Sequence, residues 1–500
     1  MKGCYRLVAC FVCISFLPAL SVADWWTPAD DDRLRHSVQT LVDQRCLDLT
    51  ITSWPIAWAS LNGVDAEDFP PHCAALPATL YIRAEKQRAA SASLLRRVEL
   101  NGASDVLLWR DYAASPRERG MASLALGASG RYVDAQLSIS AADSEDDEIR
   151  ADGSYLASRL GNWAFSAGAV DRWWGPGWQS TLALSHNARP LPALSLTRLN
   201  STPFASRWLS WLGPWHASLF LGQLDEQRLP PDSQLIGMRA SFRPLDGLEI
   251  GLSRTIQWAG EGRPSDLGTL FDALIGRDNG ETSGFGPDQD PSDQMGGFDI
   301  RYGAPFGVNT LALYGQLIGE DEAGFMPSNF LGMAGVEVGS RFGAGSQQWF
   351  IEASNTMAGG WFGNDRPAVA YEHSVYETGF RYKGRNMGST WERDAEVLVL
   401  GLRQFFANHH EFGLMLGHAR LNQANTLKPG SLTPLPPMAL AQGDDSTGLI
   451  SARYRLPLGS SRITLAAQHA TAAVPMAAGR PDRTIVTASW EYRPAGQRGY

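Results

Sequence analysis

Beyond its first 25 residues the sequence has no run of about 18 apolar residues, which excludes a membrane protein built of helices. Charge is scarce too. Asp, Glu, Lys and Arg make up 19% of the chain, against about a quarter in ordinary soluble domains. There is no surplus of base: 43 Lys and Arg face 52 Asp and Glu, a formal charge of −9. Nucleic acid leaves a basic footprint on its binders, so it is not an expected partner. Cysteines number five in 500 residues. The short catalytic and cofactor signatures are missing: no HExxH, no GxSxG, no phosphate loop and no paired CxxC past the leader. The expectation is no enzyme, no cofactor and no resident metal. What the chain does have is 51 Gly, 17 Trp and 10% aromatics, too apolar a mixture for a disordered chain.

The N-terminus reads as an export signal. Lys2 and Arg6 precede an apolar core, Leu7 to Leu20, and Ser21-Val22-Ala23 is a small-x-small cleavage site. Residues 1–23 are therefore a signal peptide, and losing its two bases leaves a charge of about −11. Leu7-Val8-Ala9-Cys10 has the letters of a lipoprotein box but lacks the apolar region ahead of it. Cys4, Cys10 and Cys13 leave with the signal. Cys46 and Cys73 remain and are the candidate disulfide of an exported chain, with two buried thiols as the alternative.

Residues 24–102 form a helical head. Thr27-Pro28 with Asp30, Asp31 and Asp32 opens a first helix, continued by Leu34, Val38, Leu41 and Val42. Ser53-Trp54-Pro55 opens a second, and Pro77 to about Leu100 is a third. From about residue 104 the period becomes two. Val133, Ala135, Leu137 and Ile139 alternate with Asp134, Gln136 and Ser138, and Phe298, Ile300 and Tyr302 alternate with Asp299 and Arg301.

Such alternation suits a soluble sandwich or a membrane barrel, and the connections choose between them. Tight turns (127–130, 161–162, 244–247, 304–307, 458–461) and long polar loops (142–151, 258–296, 319–334, 357–395, 422–446, 472–482) can be threaded onto opposite ends of about 18 strands. This also makes 173–192 a loop and puts a larger connection, 200–213, on the short-turn side. The fold expected for 103–500 is thus a mainly β, transmembrane antiparallel barrel in the outer membrane, with the head in the periplasm. Outer-membrane lipid and the barrel assembly machinery follow as partners. Trp163, Trp215, Trp258, Tyr314 and Trp490 are candidates for its interfacial girdles.

Several stretches, taken in order, carry a family likeness: Arg172-Trp173-Trp174-Gly175-Pro176-Gly177-Trp178, Ser185 to Pro190, Trp211 to Trp215, Gln257 to Gly262, Tyr314 to Glu322 and Gly379 to Arg385. In these the chain resembles the Wzi-type capsule assembly proteins. The resemblance implies a barrel of about 18 strands with a periplasmic helical head. It also implies a non-enzymatic, lectin-like role, the holding of capsular or related exopolysaccharide at the cell surface. A polysaccharide export complex is a further candidate partner. Segments 142–151 and 422–446 depart from the pattern, so the sugar's identity does not carry over. A channel, porin or sugar pore, is the alternative function.

Sugars are held by aromatic faces and by planar polar or charged groups. The candidates are Trp173, Trp174 and Trp178 around Gly175-Pro176-Gly177, with a packed plug as the alternative reading of that loop. Trp258, Glu261 and Arg263 open the long polar loop. Trp361, Arg366, Tyr371, Tyr376, Arg381 and Arg385 lie in 357–395. Glu320 belongs to Glu320-Asp321-Glu322, whose neighbours alternate faces and so make a poor hydrolytic pair. Asp288, Asp290 and Asp293 lack the Gly and closing Glu of an EF-hand, and His409-His410 reads as turn surface.

Overall fold

A computed structural model describes residues 24–90, 94–144, 147–275, 292–323, 326–361, 363–423, 445–474 and 481–494. The signal peptide, Asp288 and Asp290 lie outside the described residues.

The head begins with α1 (Asp32–Asp43), whose N-cap is Asp31 rather than Thr27. The Leu34 N–H donates to the Asp31 carboxylate at 2.9 Å. Ser53–Trp54, expected to open a helix, is instead a short strand, and a 3-10 helix follows at Trp58–Asp65. The third helix, α2 (Pro77–Ala90), is shorter than its apolar spacing suggested. The chain turns extended at β1 (Leu95–Ala103), so the barrel starts inside the stretch assigned to the head. Cys46 and Cys73 form a disulfide, with Cα atoms 5.8 Å apart.

Seventeen further wall strands follow: β2 (Gly120–Ser129), β3 (Val133–Ala142), β4 (Tyr155–Leu160), β5 (Trp163–Gly168), β6 (Ala193–Arg198), β7 (Trp215–Gln223), β8 (Gln234–Leu245), β9 (Leu248–Trp258), β10 (Ser292–Phe306), β11 (Asn309–Ala323), β12 (Met326–Phe342), β13 (Gly345–Asn355), β14 (Glu396–Phe405), β15 (Glu411–Leu421), β16 (Asp445–Leu458), β17 (Ser461–Ala470) and β18 (Thr484–Tyr492). Each pairs antiparallel with the next, and β1 closes on β18, for example Leu100 opposite Trp490. The result is a closed barrel of 18 strands. Ile149–Arg150 adds a short pairing to β3 ahead of β4.

Side-chain direction decides the architecture. Along β3, Val133, Leu137 and Ile139 are exposed on the outside while Asp134, Ser138 and Ser140 are buried on the inside. Phe298, Ile300 and Tyr302 of β10 are likewise exposed, and Asp299 and Arg301 are buried. An apolar exterior around a polar interior is a membrane wall, and a sandwich would have the reverse. Phe204 stacks on Trp215 at 4.3 Å and Trp490 lies beside Tyr492, both near the short-turn end. Tyr314 does not join a girdle. It points inward and its hydroxyl donates to Glu352 at 3.0 Å.

The long connections gather at one end, with two corrections. The loop expected over 319–334 is absorbed by β11 and β12, which run on to residues 323 and 326. Residues 104–119, expected to begin the alternating body, form a long-side connection that enters the lumen. Leu107, Leu108, Trp109 and Tyr112 are buried there.

Candidate functional site

Among the described residues, three segments fill the barrel. From the short-turn end comes α1, buried on nearly every face. From the long-loop end come 104–119 and 169–192, and 356–395 folds over them. The two ends meet mid-lumen. Ser53–Trp54 pairs antiparallel with Trp173–Trp174, and Arg35 donates to the Pro176 carbonyl at 2.6 Å. The Arg35 guanidinium lies 4.3 Å from the Tyr112 ring centre and 4.3 Å from that of Trp178. Burial pushes its pKa down to about 10, still well charged at neutral pH.

The wall holds α1 through charge. Asp32 pairs with Arg403, Arg453 and Arg455. Asp43 takes a two-pronged contact from Arg301, at 2.8 and 2.7 Å. Burial alone would raise the Asp32 carboxyl, but the three guanidiniums outweigh it and hold the group below the usual carboxylate range.

The wall holds the loops through their backbone. Glu352 accepts the N–H groups of Trp178 at 2.8 Å and Ser180 at 3.1 Å. Gln316 accepts from Leu182 N–H and donates to the Trp174 carbonyl. Glu249 accepts from the N–H groups of Ile51 and Thr52. Gly177 is required by this closeness, since a Cβ there would collide with the Ser180 carbonyl.

These contacts place the sugar candidates. Trp173, Trp174 and Trp178 are fully buried in the plug, so their rings offer no platform at the surface. The Gly-Pro-Gly turn brings them inward, where Tyr112, His186 and Phe350 cover them. Arg381 is also buried, paired with Glu372 and Glu392, and Tyr371 and Tyr376 are buried in the same loop. Arg385 is buried and donates to the Leu107 carbonyl at 3.1 Å. Glu320 faces inward and is buried near Tyr371. Trp258 faces outward and is buried among Ile236, Ile256 and Ala273. Four candidates keep access to the outside: Glu261 and Arg263 on one loop, Trp361 and Arg366 on another. His410 sits at the short-turn end, bonded to Tyr454.

A polar cluster that the motifs did not single out lies at the mouth. Asp147 meets Arg189 at 2.7 Å and Lys383 at 2.9 Å, and Arg189 also grips Asp152 at 2.8 Å. Burial would raise Asp147, but its bonds to Lys383 and Arg189 hold it below the usual range. The signal in the sequence was the acidic run at 142–151, which is separated from its cations by some forty and more than two hundred residues of chain.

The comparisons fit this geometry. A protein of the Klebsiella pneumoniae cps region, 55.8 kDa and uncharacterized, is 27% identical over 332 residues, covering 65% of this chain and 64% of that one. The match thus spans less than two-thirds of the relative's length. The Escherichia coli outer-membrane protein Wzi, described as a carbohydrate-binding β-barrel involved in group 1 capsule assembly, superposes with a TM-score of 0.78. It is 22% identical, and the match covers 94% of this chain and 99% of that one; at that identity the likeness establishes the fold. The family model for capsule assembly protein Wzi matches residues 79–486, most of the barrel and the end of the head, and the chain belongs to that family.

Proposed function

We propose that this chain is an outer-membrane lectin that holds capsular or related exopolysaccharide at the cell surface without turning it over. The observation that carries the reading is the plug meeting from both ends, at Trp54–Trp173 and Arg35–Pro176. A lumen filled this way presents a surface to a polymer rather than a path through the wall. A cavity of about 220 Å³ remains beside the plug, lined by Trp26, Arg96 and Tyr155 among others. The family match and the binding described for the Escherichia coli protein support the same assignment. In this reading residues 24–90 close the periplasmic end, and the barrel assembly machinery inserts the wall. A polysaccharide export complex supplies the polymer.

The sugar-facing groups are those left accessible: Glu261, Arg263, Trp361 and Arg366, with the Asp147, Arg189 and Lys383 cluster at the mouth. Cations of this kind suit an acidic polysaccharide. The test is binding of the purified, detergent-solubilised protein to its host's surface polysaccharide, with an unrelated polysaccharide as control. Selective binding that weakens about tenfold in an Arg263→Ala, Trp361→Ala, Arg366→Ala triple variant is expected, about 1.4 kcal/mol. Equal binding to both polymers, or none to either, refutes the lectin.

A further inference from the structure

One element of the long polar loop is on the wrong side of the wall to serve the mouth. The helix α3 (Leu267–Ile275) follows Glu261 and Arg263. Its partners fix its position. In β9, Glu249, Ser253 and Gln257 face the lumen, where they meet Thr52, Arg239 and Arg228. The alternate residues, Leu252, Arg254, Ile256 and Trp258, therefore face outward. The same parity in β8 puts Arg239 inside and Ile236 outside. It is these outward residues that α3 covers: Ala273 and Ile256 are fully buried together with Ile236 and Trp258.

Arg254 explains why the helix stays there. A guanidinium facing lipid is costly at the bilayer midplane and less so toward the interface. Arg254 donates to the carbonyls of Leu274 at 2.9 Å and Ala273 at 3.0 Å, and to the Gln294 side chain at 3.1 Å. Last-turn carbonyls are the negative end of a helix and lack helical partners of their own. At the other end, the Asp266 carboxylate accepts from the N–H groups of Gly268 and Thr269. Two backbone groups at each end are thus satisfied by side chains, which lowers the cost of laying the helix against the membrane boundary.

The side of the helix turned away from the wall is mixed: Leu267 and Phe271 on its flank are apolar and uncovered among the described residues, and the exposed Asp272 beside them gives it the amphipathic pattern of a helix at the lipid–water boundary. Leu267 is 82% exposed and Phe271 60%, one turn apart on the same side. Directly along the same outer wall are the exposed Leu252, Phe298 and Ile300 of the lipid-facing band. We infer that α3 is a lipid anchor: it lies against the outside of the barrel in the outer leaflet, with Leu267 and Phe271 among acyl chains. The continuity of that face with the band selects lipid as the occupant. The anchor ties its loop to the barrel's outer flank and places Glu261 and Arg263 beside the membrane surface rather than above the lumen.

The experiment attaches an environment-sensitive fluorophore to single cysteines introduced by Phe271→Cys or Leu267→Cys, the Cys46–Cys73 disulfide being left intact. Each full-length protein is reconstituted in dioleoylphosphatidylcholine vesicles, and folding is checked by heat-dependent gel mobility. Leu252→Cys gives the lipid-facing reference and Glu261→Cys the aqueous one. Brominated phosphatidylcholine reads acyl contact, and iodide reads water. The expected result is a ratio of lipid to iodide quenching near the Leu252→Cys value at both helix positions, and severalfold above the Glu261→Cys value. A ratio nearer Glu261→Cys overturns the anchor in favour of a loop in water. Protection from both quenchers overturns it in favour of protein cover, such as a second copy. Polysaccharide binding is not read in this assay, so a failed lectin assignment leaves the result interpretable.

Discussion

The helix α1 and the segment around Trp173 to Leu182 both lie inside the barrel, yet the wall grips them by different groups. A helix bonds its own backbone, so only side chains are left for the wall, and α1 is held by Asp32 and Asp43 against wall arginines. An irregular segment has unmet N–H and C=O groups, which cannot be buried without partners. Here a wall carboxylate and an amide, Glu352 and Gln316, take them up directly. A polar lumen can therefore accept either kind of guest, and it positions acids for backbone and arginines for acids.

The largest effect should come from breaking the charge side. Asp32→Ala leaves Arg403, Arg453 and Arg455 without their shared anion, and losing one partner of a buried ion pair costs about 3–5 kcal/mol. Urea unfolding in detergent should show a loss of that size. The head disulfide is next. It spans a sequence separation of 27 residues, so removing it through Cys46→Ser with Cys73→Ser should cost about 3–4 kcal/mol on the loop-entropy estimate. Differential scanning calorimetry of the paired variant against the parent measures it.

The backbone side should yield less. Glu352→Gln turns an amide N–H toward donors that had an acceptor, for about 1–3 kcal/mol. Planar-bilayer recordings should then show brief openings that the parent lacks; steady large openings in the parent itself would contradict the plug. If Glu352→Gln matched the cost of Asp32→Ala, the distinction between the two grips would fail.

The gentlest probe is acid. His36 of α1 is buried and its pKa is pushed down to about 4 from 6.5. Its neutral form favours the folded state fully above pH 6.5, and that contribution is lost as pH falls toward 4. Asp32 adds its own loss only below 3.8, its unfolded value. Intrinsic fluorescence of the refolded protein should show α1 loosening between these limits before the wall is affected.

The wall was legible because its chemistry is periodic. Asp134 between Val133 and Ala135, or Arg301 between Ile300 and Tyr302, states which face is wet. The side on which the loops cluster followed from their lengths. The interior was less legible. Trp173-Trp174-Gly175-Pro176-Gly177-Trp178 allows two readings, a sugar platform and a packed plug, and its residues alone do not choose; in the structure it is packed. Its burial depends on Glu352 and Gln316, whose positions in the chain lie far downstream. Leu94 to Leu100 had apolar spacing compatible with a helix, and only pairing with β18 makes Leu95–Ala103 a strand. Arg381 read as a cation for sugar because its partners, Glu372 and Glu392, stand 9 residues before it and 11 after it in an irregular loop, where no periodic spacing pairs them.

The grip on Asp32 has a consequence in time. The arginines that hold it belong to β14 and β16, more than 370 residues along the chain. The first helix among the described residues thus has its seat built by some of the last strands, and β1 cannot seal against β18 until translation and export are nearly complete. Its contacts are among the most non-local in the molecule, the sort that form late. A chain cut short before β16 would carry the helix without the socket, so docking of α1 reports that the wall has arrived as far as β16.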